Sequence, residues 1–233
     1  MSLWIKICGN TSLKDAQIAV EAGADALGFV FAPSPRQVSV DEAAAIVAGL
    51  PESVEKIGVF VGGDAEEITA VAHECNLTGV QLHFAASHRL TADLRARLGK
   101  EKKILRVLHF DPASSGNLEL LSDPSVDALL VDSRSAKAVG GTGVAFDWIA
   151  ASETLFREAG NRRLVVAGGL NPENVAEALR VLRPWGVDVV SGVEAVPGKK
   201  DPEKVRAFIE RARAASGASI LPEGEIENSP GQA

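Results

Sequence analysis

The chain has little of what many protein classes depend on. Among its 233 residues there are only two cysteines, Cys8 and Cys75, and the formal net charge of −7 leaves no broad positive field. Two cysteines do not make a disulfide scaffold, so we expect free thiols. The charge disfavours nucleic acid and anionic membrane surfaces as partners. No apolar run approaches the roughly 18 residues that span a bilayer, and no secretory leader is recognisable, so we expect a cytoplasmic protein.

Common cofactor and metal motifs are missing as well. The first predicted strand is not followed by G-x-G-x-x-G, which disfavours a dinucleotide-binding sheet. The sequence contains neither H-x-x-x-H nor C-x-x-C, and neither His83 nor His109 has a carboxylate at short helical spacing. We therefore expect neither a dinucleotide-binding sheet nor a metal site. Each of these two histidines precedes a phenylalanine, so one of them could be merely a packed, hydrogen-bonded ring.

Short β-branched runs instead alternate with alanine-rich amphipathic segments along almost the whole chain, which predicts repeated βα units. The eight predicted strands are Leu3–Cys8, Ala26–Phe31, Lys56–Val61, Gly79–His83, Ile104–His109, Asp127–Asp132, Leu164–Ala167 and Asp188–Ser191. Helix starts are predicted at Ser12, Ser39, Asn171 and Asp201, and a weak helix around Asn117 to Leu121. The pattern favours an α/β fold, a single-domain (β/α)8 TIM barrel over residues 1–215. Residues 216–233 lose the periodicity and are expected to form a flexible acidic tail.

In such a barrel the ends of the strands meet at one rim, where active sites lie. Cys8, Arg36, His83, His109 and Asp132 would all meet there. From the residues alone each has an ordinary alternative: Cys8 as packing, Arg36 as a solvated side chain, and Asp132 in a surface turn.

Glycine-rich segments follow the last three strands. Gly168 and Gly169 follow the seventh strand, and Ser191 and Gly192 follow the eighth, where backbone N–H groups can bind a phosphate. Tight turns are the alternative. The segment with Gly140, Gly141 and Gly143 after Asp132 is either a loop that adapts over a ligand or a plain connection.

Seven motifs in order, "KICG", "FVFAPSPRQVS", "GVFV", "VQLH", "LLVD" with "GGTGVAFDW", "VAGGLNPENV" and "VDVVSGVEAVPGKKDPEKV", closely resemble the phosphoribosylanthranilate isomerases of tryptophan biosynthesis from about Ile5 to Ala214. The resemblance implies a cofactor-free barrel that performs an Amadori rearrangement of N-(5-phosphoribosyl)anthranilate, an aldose–ketose isomerisation. It implies that Cys8 is the general base and Asp132 the general acid. It also implies that Arg36 contacts the anthranilate carboxylate, and that Gly168, Gly169, Ser191 and Gly192 hold the phosphate. We add His83 and Gly141 as candidate substrate-binding residues.

The residue types suit this chemistry. An acid must protonate the sugar ring oxygen, and a base must then take a proton from the carbon next to the imine. A thiol has a pKa of roughly 8.5, so Cys8 can act as a base near neutral pH only if its thiolate is stabilised. We propose that Lys6, which shares the strand parity of Cys8, supplies the positive charge. Two departures from the family are Phe84, where a glycine usually follows the "QLH" segment, and the long tail.

Other functions stay open at this point. A phosphosugar aldolase of the same fold would use Lys6 as a Schiff base, and a non-catalytic barrel would bind a phosphate ligand without turnover. A broader isomerase that also acts on the histidine-pathway aminoaldose is less favoured, because that family typically has an aspartate at the position of Cys8. The oligomeric state, monomer or homodimer, is not fixed by the sequence.

Overall fold

The computed structural model of the chain describes residues 2–110, 120–132 and 147–218. Eight parallel strands close into a barrel in sequence order, and β1 (Trp4–Ile7) pairs with β8 (Gly186–Val189) to complete it. The fold predicted from the βα alternation is therefore confirmed. The other six strands are β2 Ala26–Val30, β3 Glu55–Phe60, β4 Gly79–Leu82, β5 Lys103–His109, β6 Ala128–Asp132 and β7 Arg163–Ala167.

Helices cover the outside of this barrel. They are Leu13–Glu21, Val40–Ala48, Ala65–Glu74, His88–Leu98, Trp148–Ala151 with a π-helical turn Ser152–Phe156, Val175–Leu182 and Pro202–Ala218. After β8 the chain forms a 3₁₀ turn, Ser191–Val193, and a small antiparallel hairpin of β9 (Glu194–Val196) and β10 (Lys199–Lys200). We call the segment 194–200 the β8 hairpin.

Strand alternation divides the apolar residues into two cores, because successive side chains point to opposite faces of a strand. Ile5 and Ile7 of β1 join the larger core between sheet and helices. Trp4 points the other way, into a second core inside the barrel that includes Leu130 of β6. Trp4 also stacks on Trp185 at 5.0 Å at the amino-terminal end. The two indole rings therefore pack together at the amino-terminal end of the barrel.

Most predicted boundaries lie within a residue of the observed ones, but β8 is an exception. It was expected at Asp188–Ser191, whereas the strand runs over Gly186–Val189 and Ser191 lies in the 3₁₀ turn. The strand was predicted too late in the sequence because Val189 and Val190, an apolar pair, follow Asp188. Trp185 N–H already donates to Leu164 O at 2.9 Å, so pairing with β7 begins earlier.

Helix caps are confirmed at three of the four predicted positions. The Ser12 hydroxyl accepts from Asp15 N, Ser39 forms a capping box with Glu42, and Asp201 accepts from the backbone N–H of Glu203 and Lys204. At the fourth position Asn171 also accepts from the backbone N–H groups of Glu173 and Asn174, but these belong to a turn, and the regular helix begins only at Val175.

Two predictions concern residues near or beyond the ends of the described ranges. The last helix continues to Ala218, past the boundary at residue 215 expected for the barrel. The tail from residue 219 onward, and residues 117–119 of the weak predicted helix, lie outside the described residues. Within the described ranges, no helix is long and apolar enough to cross a membrane.

Candidate functional site

Cys8 lies at the carboxyl-terminal mouth of the barrel, directly after β1. Its side chain follows Trp4 and Lys6 on the inward face, and its backbone N–H donates to Val189 O of β8 at 2.9 Å. Only 4% of the residue is exposed. Gly28 of β2 leaves space for the sulfur, since a Cβ built there would come within 2.4 Å of Sγ. The thiol is thus held at a fixed position inside the mouth.

A buried ion pair lies beside this thiol. Lys6 is fully buried, and its Nζ donates to Asp188 Oδ1 of β8 and to Gln81 Oε1 of β4, both at 2.9 Å. Burial alone would lower the pKa of Lys6, but Asp188 and Cys8 outweigh it and raise that pKa above its usual value. Lys6 is therefore a protonated ammonium group, and in this form it cannot act as a nucleophile.

The position of Lys6 beside Cys8 agrees with their shared strand parity. The net pKa of the thiol is nevertheless raised. Burial raises the pKa of Cys8, and the negative charge of Asp188 adds to that effect. Lys6 and Lys200 act in the opposite direction but do not cancel the burial. The thiol pKa consequently lies above its ordinary value, and the two ammonium groups limit the increase.

Asp132 ends β6 and points into the same mouth. It follows Ala128 and Leu130, which line the inner core, and it is 2% exposed. His83, just after β4, brings its Nε2 to 3.8 Å from Asp132 Oδ2, and its ring meets that of His109 edge-on at 5.8 Å. The imidazole rings and the carboxyl group form one polar cluster across the barrel from β1.

Arg36 follows β2 and lies at the rim with its side chain 17% exposed. The guanidinium makes a bidentate pair with Glu194 of the β8 hairpin, through Nε to Oε1 at 2.8 Å and Nη2 to Oε2 at 2.7 Å. These hydrogen bonds, more than any other influence, raise the pKa of Arg36. Its stem lies over Gly9, where a Cβ would approach Arg36 Cδ to 2.9 Å at a φ of +75°.

The β8 hairpin also brings a second lysine to the site. Lys200 is 2% exposed, and its Nζ donates to Cys8 O at 2.6 Å, with Glu194 Oε1 and Val190 O both at 3.4 Å. Burial lowers the pKa of Lys200 despite the neighbouring Glu194. Lys200 thus connects the backbone of the candidate base to the carboxylate that holds Arg36.

The loops after β7 and β8 touch each other. Gly168 and Gly169 both have left-handed backbones, at φ of +77° and +68°, which favour glycine. A Cβ on Gly192 would lie only 2.0 Å from Leu170 O, so the second loop packs directly against the first. Ser191, in the same 3₁₀ turn, is exposed. The four residues expected to hold a phosphate are therefore adjacent, on two touching loops.

Three remaining sequence predictions have different outcomes. Gly141 lies outside the described residues, as does the rest of that glycine-rich segment. Phe84, which could have crowded the rim, is half-buried and packs against the core between sheet and helices. Within the part of the chain that the structure describes, no three His, Cys, Asp or Glu side chains gather as a metal site.

Sequence reasoning missed Gly28, Asp188, Glu194 and Lys200. Asp188 had a detectable signal, because Lys6 and Asp188 are lone charges in apolar strands that become direct neighbours once the barrel closes. The Pro-Gly pair inside "VEAVPGKK" was a turn signal between Glu194 and Lys200. Gly28 carried no signal, because only the packed sulfur shows why a side chain is excluded there.

Comparison with known proteins identifies the family of this chain. The family model of N-(5'phosphoribosyl)anthranilate (PRA) isomerase matches residues 5–211. An N-(5'-phosphoribosyl)anthranilate isomerase of Trichlorobacter lovleyi is 43% identical over 91% of this chain and 98% of its own length. The crystal structure of phosphoribosyl anthranilate isomerase from Thermotoga maritima is 39% identical, covers 91% of this chain and 99% of its own, and superposes with a TM-score of 0.80.

A further solved phosphoribosyl anthranilate isomerase is similar as well. It is in complex with reduced 1-(o-carboxyphenylamino)-1-deoxyribulose 5-phosphate. This structure is 37% identical, covers 91% of this chain and 99% of its own, and has a TM-score of 0.77. Each of these relatives covers 91% of this chain and nearly the whole of its own length.

Proposed function

The chain belongs to the N-(5'-phosphoribosyl)anthranilate isomerase family, and from that premise we propose that Asp132 is the general acid and Cys8 the general base of its reaction. The enzyme performs the Amadori rearrangement of N-(5'-phosphoribosyl)anthranilate to 1-(2-carboxyphenylamino)-1-deoxyribulose 5-phosphate in tryptophan biosynthesis, an intramolecular aldose–ketose conversion.

Asp132 acts first, as the general acid. Its proton goes to the ring oxygen of the ribose, the carbon–oxygen bond at C1 breaks, and the lone pair of the anilinic nitrogen forms the protonated C1 imine. The opened sugar keeps its phosphate and gains a free hydroxyl. Burial in the barrel mouth, at 2% exposure, excludes bulk water from this proton transfer.

Cys8 acts second, as the general base. Its thiolate removes the proton on C2, a C1–C2 double bond forms as the electrons of the imine return to nitrogen, and the resulting enolamine tautomerises to the C2 ketone. A thiolate is required, so the ammonium groups of Lys6 and Lys200 have a function: both lower the pKa of the buried thiol. Their partners Asp188 and Glu194 keep the extra positive charge from accumulating inside the barrel.

The observation that carries the proposal is the orientation of the two groups. Cys8 and Asp132 both point inward at the carboxyl-terminal end, one after β1 and the other on β6, which is separated from β1 by β7 and β8. A substrate between them would meet a sulfur on one side and a carboxyl group on the other. Acid and base act on different atoms of the sugar, which requires such a separation.

The remaining candidates would bind the substrate, a small phosphosugar. Gly168, Gly169, Ser191 and Gly192 would hold the phosphate through backbone N–H groups at the touching loops. Arg36, beside the β8 hairpin on the same rim, would bind the anthranilate carboxylate with the N–H groups that Glu194 leaves open. His83 and Gly141 complete the proposed set, His83 through its position 3.8 Å from Asp132.

An aldolase with a Lys6 Schiff base is disfavoured by the raised pKa and the 2.9 Å ion pair of that lysine with Asp188. We also propose a cytoplasmic location, since a catalytic thiol must stay reduced and both cysteines are free. Whether the enzyme is a monomer or a homodimer stays a prediction.

The experiment that tests the roles follows the loss of fluorescence of the anthranilate adduct, with Cys8→Ser and Asp132→Asn beside the wild type. Each variant is expected to keep the wild-type circular dichroism and to lose at least about a hundredfold in kcat, the lower end for general acid–base groups. Cys75→Ser, a change at the buried thiol outside the mouth, is the matched control. Full activity of either active-site variant would contradict the assignment.

A further inference from the structure

Arg36 and Glu194 come from opposite sides of the closing seam of the barrel and meet at its rim. The pair uses Nε and one N–H of Nη2, and it leaves three of the five guanidinium donors, including both on Nη1. Among the described residues no protein group accepts from Nη1. A guanidinium can bind a second carboxylate through this end edge while the first stays bound.

Glu194 is itself held in place. It is 6% exposed, and besides Arg36 its Oε1 accepts from Gly198 N at 3.2 Å and lies 3.4 Å from Lys200 Nζ. Gly198 has a left-handed backbone at φ +82°, and its carbonyl accepts from the Thr11 hydroxyl at 2.6 Å. The β8 hairpin therefore presents this carboxylate from a fixed turn, and its oxygens cannot swing away from Arg36.

The charges at this corner favour an anion despite the carboxylate. Arg36 and Lys200 carry two positive charges and Glu194 one negative charge, which leaves the corner net positive while the neighbouring Cys8 is a neutral thiol. Lys200 is buried beneath, so the positive charge that a ligand can reach is that of the 17% exposed guanidinium. The pair with Glu194 thus orients Arg36 without neutralising the corner.

We propose that Glu194 is a positioning residue for substrate recognition, which holds the Arg36 guanidinium so that its open edge faces the carboxylate of the anthranilate ring. This inference rests on the proposed function and deepens it. Glu194 does not touch the substrate, and its contribution is to the binding of substrates that carry the carboxylate. Without it, Arg36 would have to lose side-chain freedom at each binding event.

The test compares two substrates in Glu194→Gln, which keeps the size of the side chain and removes its charge. With phosphoribosylanthranilate, KM is expected to rise about tenfold, as for loss of one charged hydrogen bond, and kcat to change less than about threefold. With the adduct of aniline, which lacks the carboxylate, the variant and the wild type should agree within about twofold, with product measured by chromatography. A purely structural role would affect both substrates equally.

Controls separate this inference from the function on which it rests. Glu203→Gln, an exposed glutamate at the start of the last helix, should leave both substrates unaffected. Arg36→Lys should lose the preference for the carboxylate substrate. If Arg36→Lys loses it and Glu194→Gln keeps it, Glu194 has no positioning role and the proposed function stands. If neither variant changes the preference, the carboxylate contact of Arg36 is wrong as well.

A second variant protects the test against a failure of Glu194→Gln to fold, which circular dichroism would reveal. Glu194→Asp keeps the charge and withdraws the carboxylate by one methylene group. It should raise KM for the carboxylate substrate selectively, though by less than Glu194→Gln. An equal KM increase with both substrates in this variant would overturn the proposal.

Discussion

The sulfur of Cys8 occupies the space that a side chain would take at Gly28, on the neighbouring strand β2. A side chain at Gly28 would place its Cβ 2.4 Å from Sγ, 2.9 Å from Cβ and 3.0 Å from Cα of the cysteine. The first two distances are too short for real contacts, and the third, to a backbone atom, is tighter than nearly all of them. The absence of a side chain at Gly28 is thus what lets the thiol point into the mouth.

We therefore predict that Gly28→Ala lowers activity more than it lowers stability. The new methyl group must push the thiol aside, and overpacking of this kind costs about 1–3 kcal/mol. A displacement of about 1 Å at a reacting atom can cost on the order of a hundredfold in rate. We expect kcat to fall by roughly that factor in the fluorescence assay, while urea unfolding still shows a cooperative transition.

The matched control for Gly28→Ala is Gly62→Ala. Gly62 lies in the loop after β3, its φ is not in the left-handed range, and an added Cβ would meet nothing within 4 Å. Activity and unfolding midpoint should stay close to the wild type. Equal kcat values in the two variants would mean that the sulfur can move freely, which would contradict its fixed position.

Cys8 shows which features of the site can be predicted from the sequence and which cannot. The alternation of strands and helices predicts the barrel, and parity along β1 places Lys6 and Cys8 on one face. Parity could not predict the net thiol pKa, because that depends on burial from all sides and on charges near the other end of the chain, at Asp188 and Lys200. Such contacts exist only once the barrel is closed.

The loops around β8 also have contacts that local sequence patterns cannot predict. Glycines at Gly168 and Gly192 predict loops near a phosphate, but the pattern does not reveal that these loops touch or that Ser191 lies beyond the strand. Likewise "VEAVPGKK" predicts a turn, but its partner Arg36 is 158 residues distant from Glu194 in the chain. Local patterns therefore predict elements well and long-range ion pairs poorly.

A second prediction concerns the lysine next to the thiol. Lys6→Met should raise the pKa of Cys8 further, since it removes an ammonium group that lowers this pKa and leaves the negative Asp188 beside the sulfur. The pKa is measured as the pH dependence of alkylation by iodoacetamide in a Cys75→Ser background, where Cys8 is the only thiol. The rising limb of kcat/KM should shift to higher pH by the same amount.

The double variant Lys6→Met with Asp188→Asn is the control for that experiment. Breaking a buried ion pair by removing one partner costs about 3–5 kcal/mol, and removal of the second charge should recover part of this stability. It should also bring the thiol pKa back toward the wild type, since Asp188 is one of the groups that raise it. A Cys8 pKa that does not respond to Lys6→Met would show that burial alone sets it.

The last prediction addresses the two touching loops. Gly192→Ala would place a Cβ 2.0 Å from Leu170 O, so the loop after β8 must separate from the loop after β7. If these loops hold the phosphate, KM should rise at least about tenfold, while a substrate analogue without phosphate binds as weakly to the variant as to the wild type. Gly217→Ala, in the last helix with nothing within 4 Å, should leave KM unchanged and slightly favour the helix. Wild-type KM in Gly192→Ala would move the phosphate away from these loops.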